Sequence, residues 1–599
     1  PRFHGWLVLL AAASVLLVRL GGPALWDDDE PKNAACSLAM LDSGDWCVPA
    51  VNGRLRVEKP PLVNWLQVAG FAWFGRNETG ARIGSALATV GTCILTWRTG
   101  AILFGPAAGL LGGIAMATCV WTAVGGRAAT PDAPLVFLTT LSLYLYVRGT
   151  RGRAADAPPC DPGHADRSGR APGSGLATGS GLAVGSALGI GAACGAAMLA
   201  KGPIGAILPV LALVCDAAWR SGPSVADRWA GVVRLRPVTI LLAAAVVALP
   251  WYACVTLRTD GDWLRGFLLV HNVGRFAAPM EGHSGSWLYY PAVIAVGLFP
   301  WSIVLAAMLA HAAIILRDAG DDPRRAPLRL LACWAGVWMA VLSCAGTKLP
   351  GYIWPAYPAL AMATGLFLAD WARGAARFSW PRSSRAGDVR VESGVVMRLA
   401  WCILGATGPL LGLALAVGTR RIAPGNEWLG LLGLVPVVAA VAAWRSQTAG
   451  RPWRSLAAVA VGGCLLVTLA ASVGAERISR AQGSRALVAA LDRPAHAFRW
   501  ACLWNVPPSL VFYTGERIER LSTPDEVAAL LARHADARVV IDSRQHAVVA
   551  AVLPPGSGVL ARVPTLTGRE YLLLGAVAST PRPDDTNVAV TATDRDGWH

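Results

Sequence analysis

Hydrophobic residues run along this chain in long unbroken blocks, not in the two-residue alternation of a half-buried strand. The blocks fall near 6–24, 79–97, 106–124, 131–147, 176–199, 203–219, 237–257, 287–315, 329–346, 350–372, 398–418, 425–444 and 455–474. Each is close to the roughly 20 residues that a helix needs to cross about 30 Å of hydrocarbon. Lipid offers the backbone no hydrogen-bond partner, so such spans must be helices or closed barrels, and unbroken apolar runs select helices. The pattern predicts a polytopic α-helical membrane protein of thirteen spans, occupying 1–474. No small-residue cleavage site follows 6–24, so this block is expected to stay as an uncleaved first span and not to act as a signal peptide.

Two regions break the pattern. Residues 25–77 mix charge with short apolar pieces; of these, Leu62–Phe74 is predicted as a helix lying on the membrane surface. From 475 to 579, polar helical periodicity (about 478–491 and 523–534) alternates with β-like runs at Arg538–Ile541, Val559–Val563 and Tyr571–Leu574. That alternation predicts a small α/β domain outside the membrane. The Gly/Pro/Ser-rich part of 148–175 reads as a disordered linker and 580–599 as a disordered tail.

Composition agrees with the membrane reading: 54% hydrophobic residues, 15% charged, in 599 residues. The net charge of +16 does not indicate nucleic acid, because the arginines cluster in short connections at 148–175, 220–236, 316–329, 373–398 and 445–454. All of these land on one side of the thirteen-span register, as expected of cytoplasmic loops. The acidic 25–77 region, the loop at 258–286 and the C-terminal domain then face outward. The thirteen cysteines show no CxxC pair; Cys36 and Cys47 would bridge only if their loop lies in an oxidising compartment.

The chemistry concentrates after the first span, where Asp27, Asp28, Asp29, Glu30 and Lys32 are followed by Glu58, Lys59, Pro60 and Pro61. Carboxylates that dense beside hydrocarbon are functional candidates. Of 53 basic residues only four are lysine: Lys32, Lys59, Lys201 and Lys348. All four fall on the outer side, each within two residues of a proline. A compact ammonium differs from arginine's planar fork, and a point charge aimed at a phosphate or carboxylate accounts for the retention. Plainer readings stand beside these. Asp27 and Asp28 suit a solvated face, Glu58 with Lys59 a local ion pair, Arg127 with Asp132 a structural pair, and Lys201 an electrostatic role without substrate contact. Tryptophan and tyrosine at span ends suit interface anchoring.

Taken together, the ordered motifs resemble a known family. They comprise Asp29-Glu30-Pro31-Lys32, Ser43-Gly44-Asp45-Trp46, Asn52-Gly53 and Glu58-Lys59-Pro60-Pro61-Leu62 with Trp65. Gly126-Arg127 with Asp132, Leu199-Ala200-Lys201-Gly202-Pro203, Pro250-Trp251-Tyr252 and Arg275-Phe276 come next. Then come Trp287 with Tyr289-Tyr290, Phe299-Pro300-Trp301, Thr347-Lys348-Leu349-Pro350 with Tyr352, Pro355 and Pro358, and the Ser509–Gly515 run. This set is similar to the lipid A aminoarabinose transferases, which belong with the protein O-mannosyltransferases among class C glycosyltransferases.

The resemblance implies thirteen transmembrane helices and an outer α/β domain. It implies transfer of a sugar, with inversion, from a polyprenyl (undecaprenyl) phosphate donor to a lipid A-type glycolipid at the outer face of a bacterial inner membrane. By the same resemblance, Asp29 is the catalytic carboxylate, with Glu30, Lys59 and Asp132 as further catalytic candidates. Lys59, Arg275 and Tyr352, and less directly Lys348, would bind the donor phosphate; Lys32, Glu58, Arg127 and Lys201 are further site candidates. Some relatives bind a metal through a glutamate at the position of Glu58 and a histidine before the Arg-Phe pair. Here His271 sits one residue closer to Arg275, so a divalent metal on Glu58 and His271 (or His283) is an expectation of the resemblance only. No nucleic-acid or obligate protein partner is implied. A protein O-glycosyltransferase with the same donor differs in acceptor alone. A transporter or flippase of lipid-linked sugars would place its charges near the bilayer midplane, often within internal repeats, and no repeat is found.

Overall fold

The computed structural model describes residues 2–577 except 27–28, 156–180, 281, 318–321, 377–378, 381–388, 391, 481, 490, 492 and 566–569. Asp27, Asp28, most of the expected linker and the expected tail thus lie outside the described residues. The first part of that linker is helical, because the helix Asp132–Ala155 continues past the expected span end.

Among the described residues, each of the expected spans overlaps a helix. Among the described residues, eight helices are long and apolar enough to cross a membrane, or ten if two bent pairs each form one span. The bent pairs are Pro106–Thr118 with Val120–Arg127, bent by 57°, and Tyr289–Gly297 with Trp301–Arg317, bent by 118°. The other three expected spans are Arg2–Leu17, Asp132–Ala155 and Ile204–Arg220, which are shorter or carry charge at an end. The chain is a multi-pass membrane protein. Its helices pack closely because small residues line their contacts. A Cβ on Gly365 would lie 2.3 Å from the Ala108 carbonyl oxygen. Trp301, Trp334, Trp338 and Trp354 fill the interior, fully buried. Two of these indoles are satisfied there, Trp301 donating to Thr118 Oγ1 at 2.8 Å and Trp334 to the Pro355 carbonyl at 2.9 Å.

The region after the first span is built from helix Asp29–Ser43, a two-stranded hairpin (Ala50–Val51 with Arg54–Leu55) and helix Leu62–Phe74. Asn52 and Gly53 turn the hairpin with positive φ at both positions, a turn that suits right-handed strand twist. Helix Leu62–Phe74 buries Val63, Val68 and Phe71, and leaves Trp73 86% exposed at its end, as befits a helix lying on a lipid surface.

The C-terminal domain starts later than the pattern implied, because the last membrane helix extends through Ser479. The polar helix expected at 478–491 is only Gly483–Ala489, whereas Pro524–Arg533 matches its expectation. A five-stranded sheet has the order Glu519–Leu521, Arg499–Leu503, Ala537–Asp542, Glu570–Ala576, Ser557–Pro564. Its first three strands are parallel and the last two antiparallel. Arg499–Leu503 and Glu519–Leu521 escaped the pattern. The first is a short apolar run flanked by parallel neighbours, which periodicity cannot tell from buried helix; the second is three residues, two of them charged.

This domain sits on the region after the first span. Phe512 packs against Phe71, with ring centroids 6.3 Å apart, over Ala34, Ala35 and Leu38. The Tyr513 hydroxyl accepts from the Leu25 N–H at 2.9 Å and donates to Glu78 at 3.1 Å, and Arg485 pairs with Glu78 at 3.2 Å. Asn52 makes two bonds with the backbone of Ile518, donating to its carbonyl at 2.9 Å and accepting from its N–H at 2.8 Å.

At the opposite ends of the helices lie two buried polar groups that the sequence pattern did not indicate. Asp216 pairs with Arg220 at 2.6 Å and accepts from the Tyr146 hydroxyl at 3.1 Å. His311 lies 3.0 Å from Asp370, which also holds Arg324 at 2.6 Å. Both groups clamp neighbouring helices at that end.

Tyr513→Phe strips two hydrogen bonds from the domain junction. The expected loss is about 1–2 kcal/mol, read as faster hydrogen exchange across 499–521 with the membrane helices unaffected. Unchanged exchange would show that the Phe71–Phe512 contact holds the domain without it.

Candidate active site

The site is assembled around a buried carboxylate. Glu30, 4% exposed, receives both Arg82 Nε (2.9 Å) and Arg82 Nη2 (2.8 Å), together with the N–H groups of Trp26 (2.8 Å) and Ala129 (2.6 Å). Arg82 spends its remaining donors on the carbonyls of Leu20, Pro23 and Ala24. Both Glu30 oxygens are therefore occupied, and its place is that of a strut. Asn33 donates to the Ala129 carbonyl (2.9 Å) and accepts from Arg56 Nη2 (2.6 Å). These bonds fasten the turn before Asp132 to the helix that begins at Asp29.

Arg127 and Asp132, adjacent in sequence, do not pair. Arg127 is buried and donates to the carbonyls of Val15, Val18 and Arg19, closing the C-terminal end of the first helix, where a cation is favourable. Asp132, first residue of its helix, instead binds Lys201. Lys201 is the last residue of helix Val184–Lys201, which Gly202 terminates with φ +89. A Cβ on Gly202 would lie 2.5 Å from the Phe267 ring, so both the backbone and the space require glycine. The Lys201 ammonium also lies over the Tyr352 ring, 4.3 Å from its centroid.

Tyr352 lies on the 3₁₀ segment Pro350–Ala356, and its hydroxyl accepts from Arg275 Nη1 at 3.3 Å. Arg275 directly follows a π-helical stretch, Gly266–Gly274, whose wider turns set its direction. Its backbone is tied to the Tyr352 segment: Thr347 N–H donates to the Arg275 carbonyl, Gly346 N–H to that of Phe276, and Lys348 N–H to that of His283. Lys348 is buried with its ammonium on the Ala345 carbonyl at 2.7 Å, at the end of helix Arg325–Cys344.

Glu58 and Lys59 stand between two groups of charge. Glu58 is held by Lys32 at 2.7 Å and by Arg56 at 3.3 Å. Burial works against its charge, but the Lys32 bond and the Arg56 field prevail and bring its pKa down to about 2. Burial pushes the Lys59 ammonium down to about 8; Asp29 and Asp132 counter this, while Lys201 and Arg56 add to it. Lys59 thus shares an electrostatic neighbourhood with Asp29, Asp132 and Lys201. Asp29 itself is exposed at the start of its helix.

Among the described residues no group of three or more His, Cys, Asp or Glu could hold an ion, and Glu58 is already held by two cations. Cys36 and Cys47 are free thiols in separate apolar clusters. Sequence reading did not identify Arg82, Arg56 and Asn33, which position the site. A lone arginine in an apolar span was the available signal for Arg82.

Two cavities adjoin these residues. One, of about 870 Å³, is lined mostly by apolar side chains, including Val120, Phe299, Ile403, Leu411 and Leu466, with Glu30, Arg82 and Arg127 among its polar members. The other, of about 980 Å³, lies between the hairpin region and the C-terminal domain.

Comparison with known proteins agrees with this picture. A family profile described as dolichyl-phosphate-mannose-protein mannosyltransferase matches residues 58–156. An undecaprenyl phosphate-alpha-4-amino-4-deoxy-L-arabinose arabinosyl transferase of Pseudomonas aeruginosa (strain LESB58) is 30% identical over 360 residues, 60% of this chain and 58% of that protein. The chain thus spans under three-fifths of that relative's length. Another, from Pseudomonas fluorescens (strain Pf0-1), is 29% identical over 462 residues, 76% of this chain and 72% of that protein. In fold, the chain is similar to ArnT from Cupriavidus metallidurans bound to undecaprenyl phosphate, with a TM-score of 0.71 at 21% identity, covering 96% of this chain and 99% of that one. The apo state of that protein gives 0.72.

Arg82→Ala leaves Glu30 buried without its cation, so a loss of about 3–5 kcal/mol in stability is expected. A thermal midpoint in detergent equal to that of the unaltered protein would rule out the strut. With Lys59 at about 8, its charge is complete well below pH 8 and is lost as pH rises through that value. Affinity for a phosphate-bearing lipid is expected to fall across pH 7–9. In Lys59→Arg the fall should disappear, since guanidinium keeps its proton there.

Proposed function

We propose that this chain, a member of the lipid A aminoarabinose transferase and protein O-mannosyltransferase-like family of class C glycosyltransferases, moves a sugar from a polyprenyl-phosphate donor to a lipid A-type glycolipid. One observation carries the reading. Lys59, Lys201, Tyr352 and Arg275 come from four separate segments and gather with Asp29 and Asp132 at one end of the bundle. Cations and a hydroxyl so arranged suit a phosphate, and the apolar cavity beside Glu30 suits a lipid chain.

In the proposed step an acceptor oxygen attacks the anomeric carbon on the face opposite the donor phosphate. The new carbon–oxygen bond forms as the old one breaks, and its electron pair leaves on the phosphate oxygen. Lys59 and Arg275 stabilise the charge that develops there, with Tyr352 held in place by Arg275 and by the Lys201 ammonium. Asp29 accepts the proton if the acceptor is a hydroxyl; if it is a phosphate, no proton is released and Asp29 orients the nucleophile. Asp132 fixes Lys201, and Glu30 fixes the turn that carries Asp132. No step is routed through a metal. The clustering of arginine in short connections supports, by the positive-inside rule, a site on the outer face of a bacterial inner membrane.

The test is transfer of radiolabel from polyprenyl-phosphate sugars to envelope lipids by purified protein in nanodiscs. The unaltered chain is expected to label a glycolipid, with rates at least 100-fold lower in Asp29→Asn and Lys59→Ala that remain folded. Labelled protein in place of lipid would change the acceptor to a polypeptide. Donor carried across the bilayer without transfer would replace the enzyme by a transporter.

A further inference from the structure

The second cavity is lined by none of the residues of the mechanism above, though Glu58, the neighbour of Lys59, lies on its wall. It opens between the Asn52–Gly53 hairpin and the parallel edge of the C-terminal sheet. Six cations line it: Lys32, Arg54 and Arg56 from the membrane part, and Arg499, Arg517 and Arg520 from the domain. Only Glu58 and Glu519 oppose them, and Glu58 is already matched by Lys32 and Arg56.

Three features mark this as a built site. Arg56 is 3% exposed and is fixed behind the cleft wall by Asn33 at 2.6 Å and Glu58 at 3.3 Å, a rigid cation that adds its field to the lining. Trp504 holds φ +66, unusual for a bulky residue, with its indole N–H tied to the Ser522 carbonyl at 2.8 Å and its ring 47% exposed at the cavity wall. Such backbone strain clusters at ligand sites, and an indole face suits a sugar ring. The two Asn52–Ile518 bonds, with Arg517 packed over Gly53, hold the two walls in register.

We infer that this cleft binds the phosphorylated saccharide headgroup of the acceptor, so the C-terminal domain is half of the acceptor site. The assignment rests on the transferase reading for its consequence but not for its chemistry. Glu58 faces the cleft while Lys59, the next residue, lies in the field of Asp29, Asp132 and Lys201. The acceptor's anion and the donor's phosphate thereby occupy opposite sides of one dipeptide. Guanidinium groups from two directions suit phosphate oxygens.

Binding can be read without turnover. The full chain in nanodiscs is titrated with a deacylated, doubly phosphorylated glucosamine disaccharide, with the unphosphorylated disaccharide, and with inorganic phosphate. The phosphorylated sugar is expected to bind at least tenfold more tightly than either control. In Arg517→Glu/Arg520→Glu its affinity should fall at least tenfold while binding of polyprenyl phosphate stays unchanged; in the transfer assay the acceptor KM rises and the donor KM does not. Arg520→Gln, with an unchanged thermal midpoint, serves if the double reversal disturbs folding, and should weaken the probe at least threefold. Equal binding of the phosphorylated and neutral disaccharides, equal binding of phosphate alone, or variants that bind the probe as the unaltered chain does would each overturn the assignment. Failure of transfer with probe binding intact would instead count against the transferase reading.

Discussion

A charged pair buried at the membrane boundary governs the placement of the other groups here. Glu30 and Arg82 are each almost wholly enclosed, and between them they satisfy two backbone N–H groups and three carbonyls. An isolated buried ion would be costly, and a pair with every remaining lone pair and proton engaged is the arrangement that tolerates burial. Because its partners are the chain after the first helix, the turn before Asp132 and the Arg82 helix, the pair sets the relative position of three segments. Asp29 sits one residue before the strut and Asp132 three residues after the clamped Ala129.

Around this strut the charges divide by role. Arg127, Arg82 and Lys348 answer carbonyls at helix ends or turns, which leaves them little freedom to follow a substrate. Around Lys59, burial together with Lys201 and Arg56 outweighs Asp29 and Asp132 and depresses its pKa. A cation destabilised by burial gains most from a neighbouring anion, and that difference suits the binding of a leaving phosphate. Lysine in place of arginine matters here, since an ammonium's proton affinity can be tuned by burial and a guanidinium's cannot.

The two-cavity arrangement follows from backbone geometry. Pro60 and Pro61 restrict the chain after Lys59, and the backbone bends at Glu58 and Lys59, with Glu58 on the cleft wall and Lys59 in the field of Asp29, Asp132 and Lys201. The C-terminal domain closes one side by docking Phe512 and Tyr513 on the membrane part. In this fold the domain is part of the site's wall.

Much of this was legible in the sequence, because membrane burial acts on composition directly. A span must be apolar over its whole length, so the multi-pass helical class was readable from hydrophobicity, and the four lysines stood out against a background of arginine. The C-terminal strands Ala537–Asp542, Ser557–Pro564 and Glu570–Ala576 were likewise read from their β-like runs. Pairing was not legible. Sequence proximity suggested Arg127 with Asp132, yet a helix end claimed the arginine and a residue 69 positions away claimed the aspartate. Glu30 read as a candidate for chemistry, and the structure shows both its oxygens held by Arg82 and two backbone N–H groups, a meeting that nothing local in the sequence announces. The strands Arg499–Leu503 and Glu519–Leu521, and with them the cationic cleft, exist only once distant segments are brought together. Hydrophobicity is a property each residue carries alone, so the chain determines its own spans. Partnership between charges depends on which segments the packed helices bring within a few ångströms, and only the tertiary structure decides that.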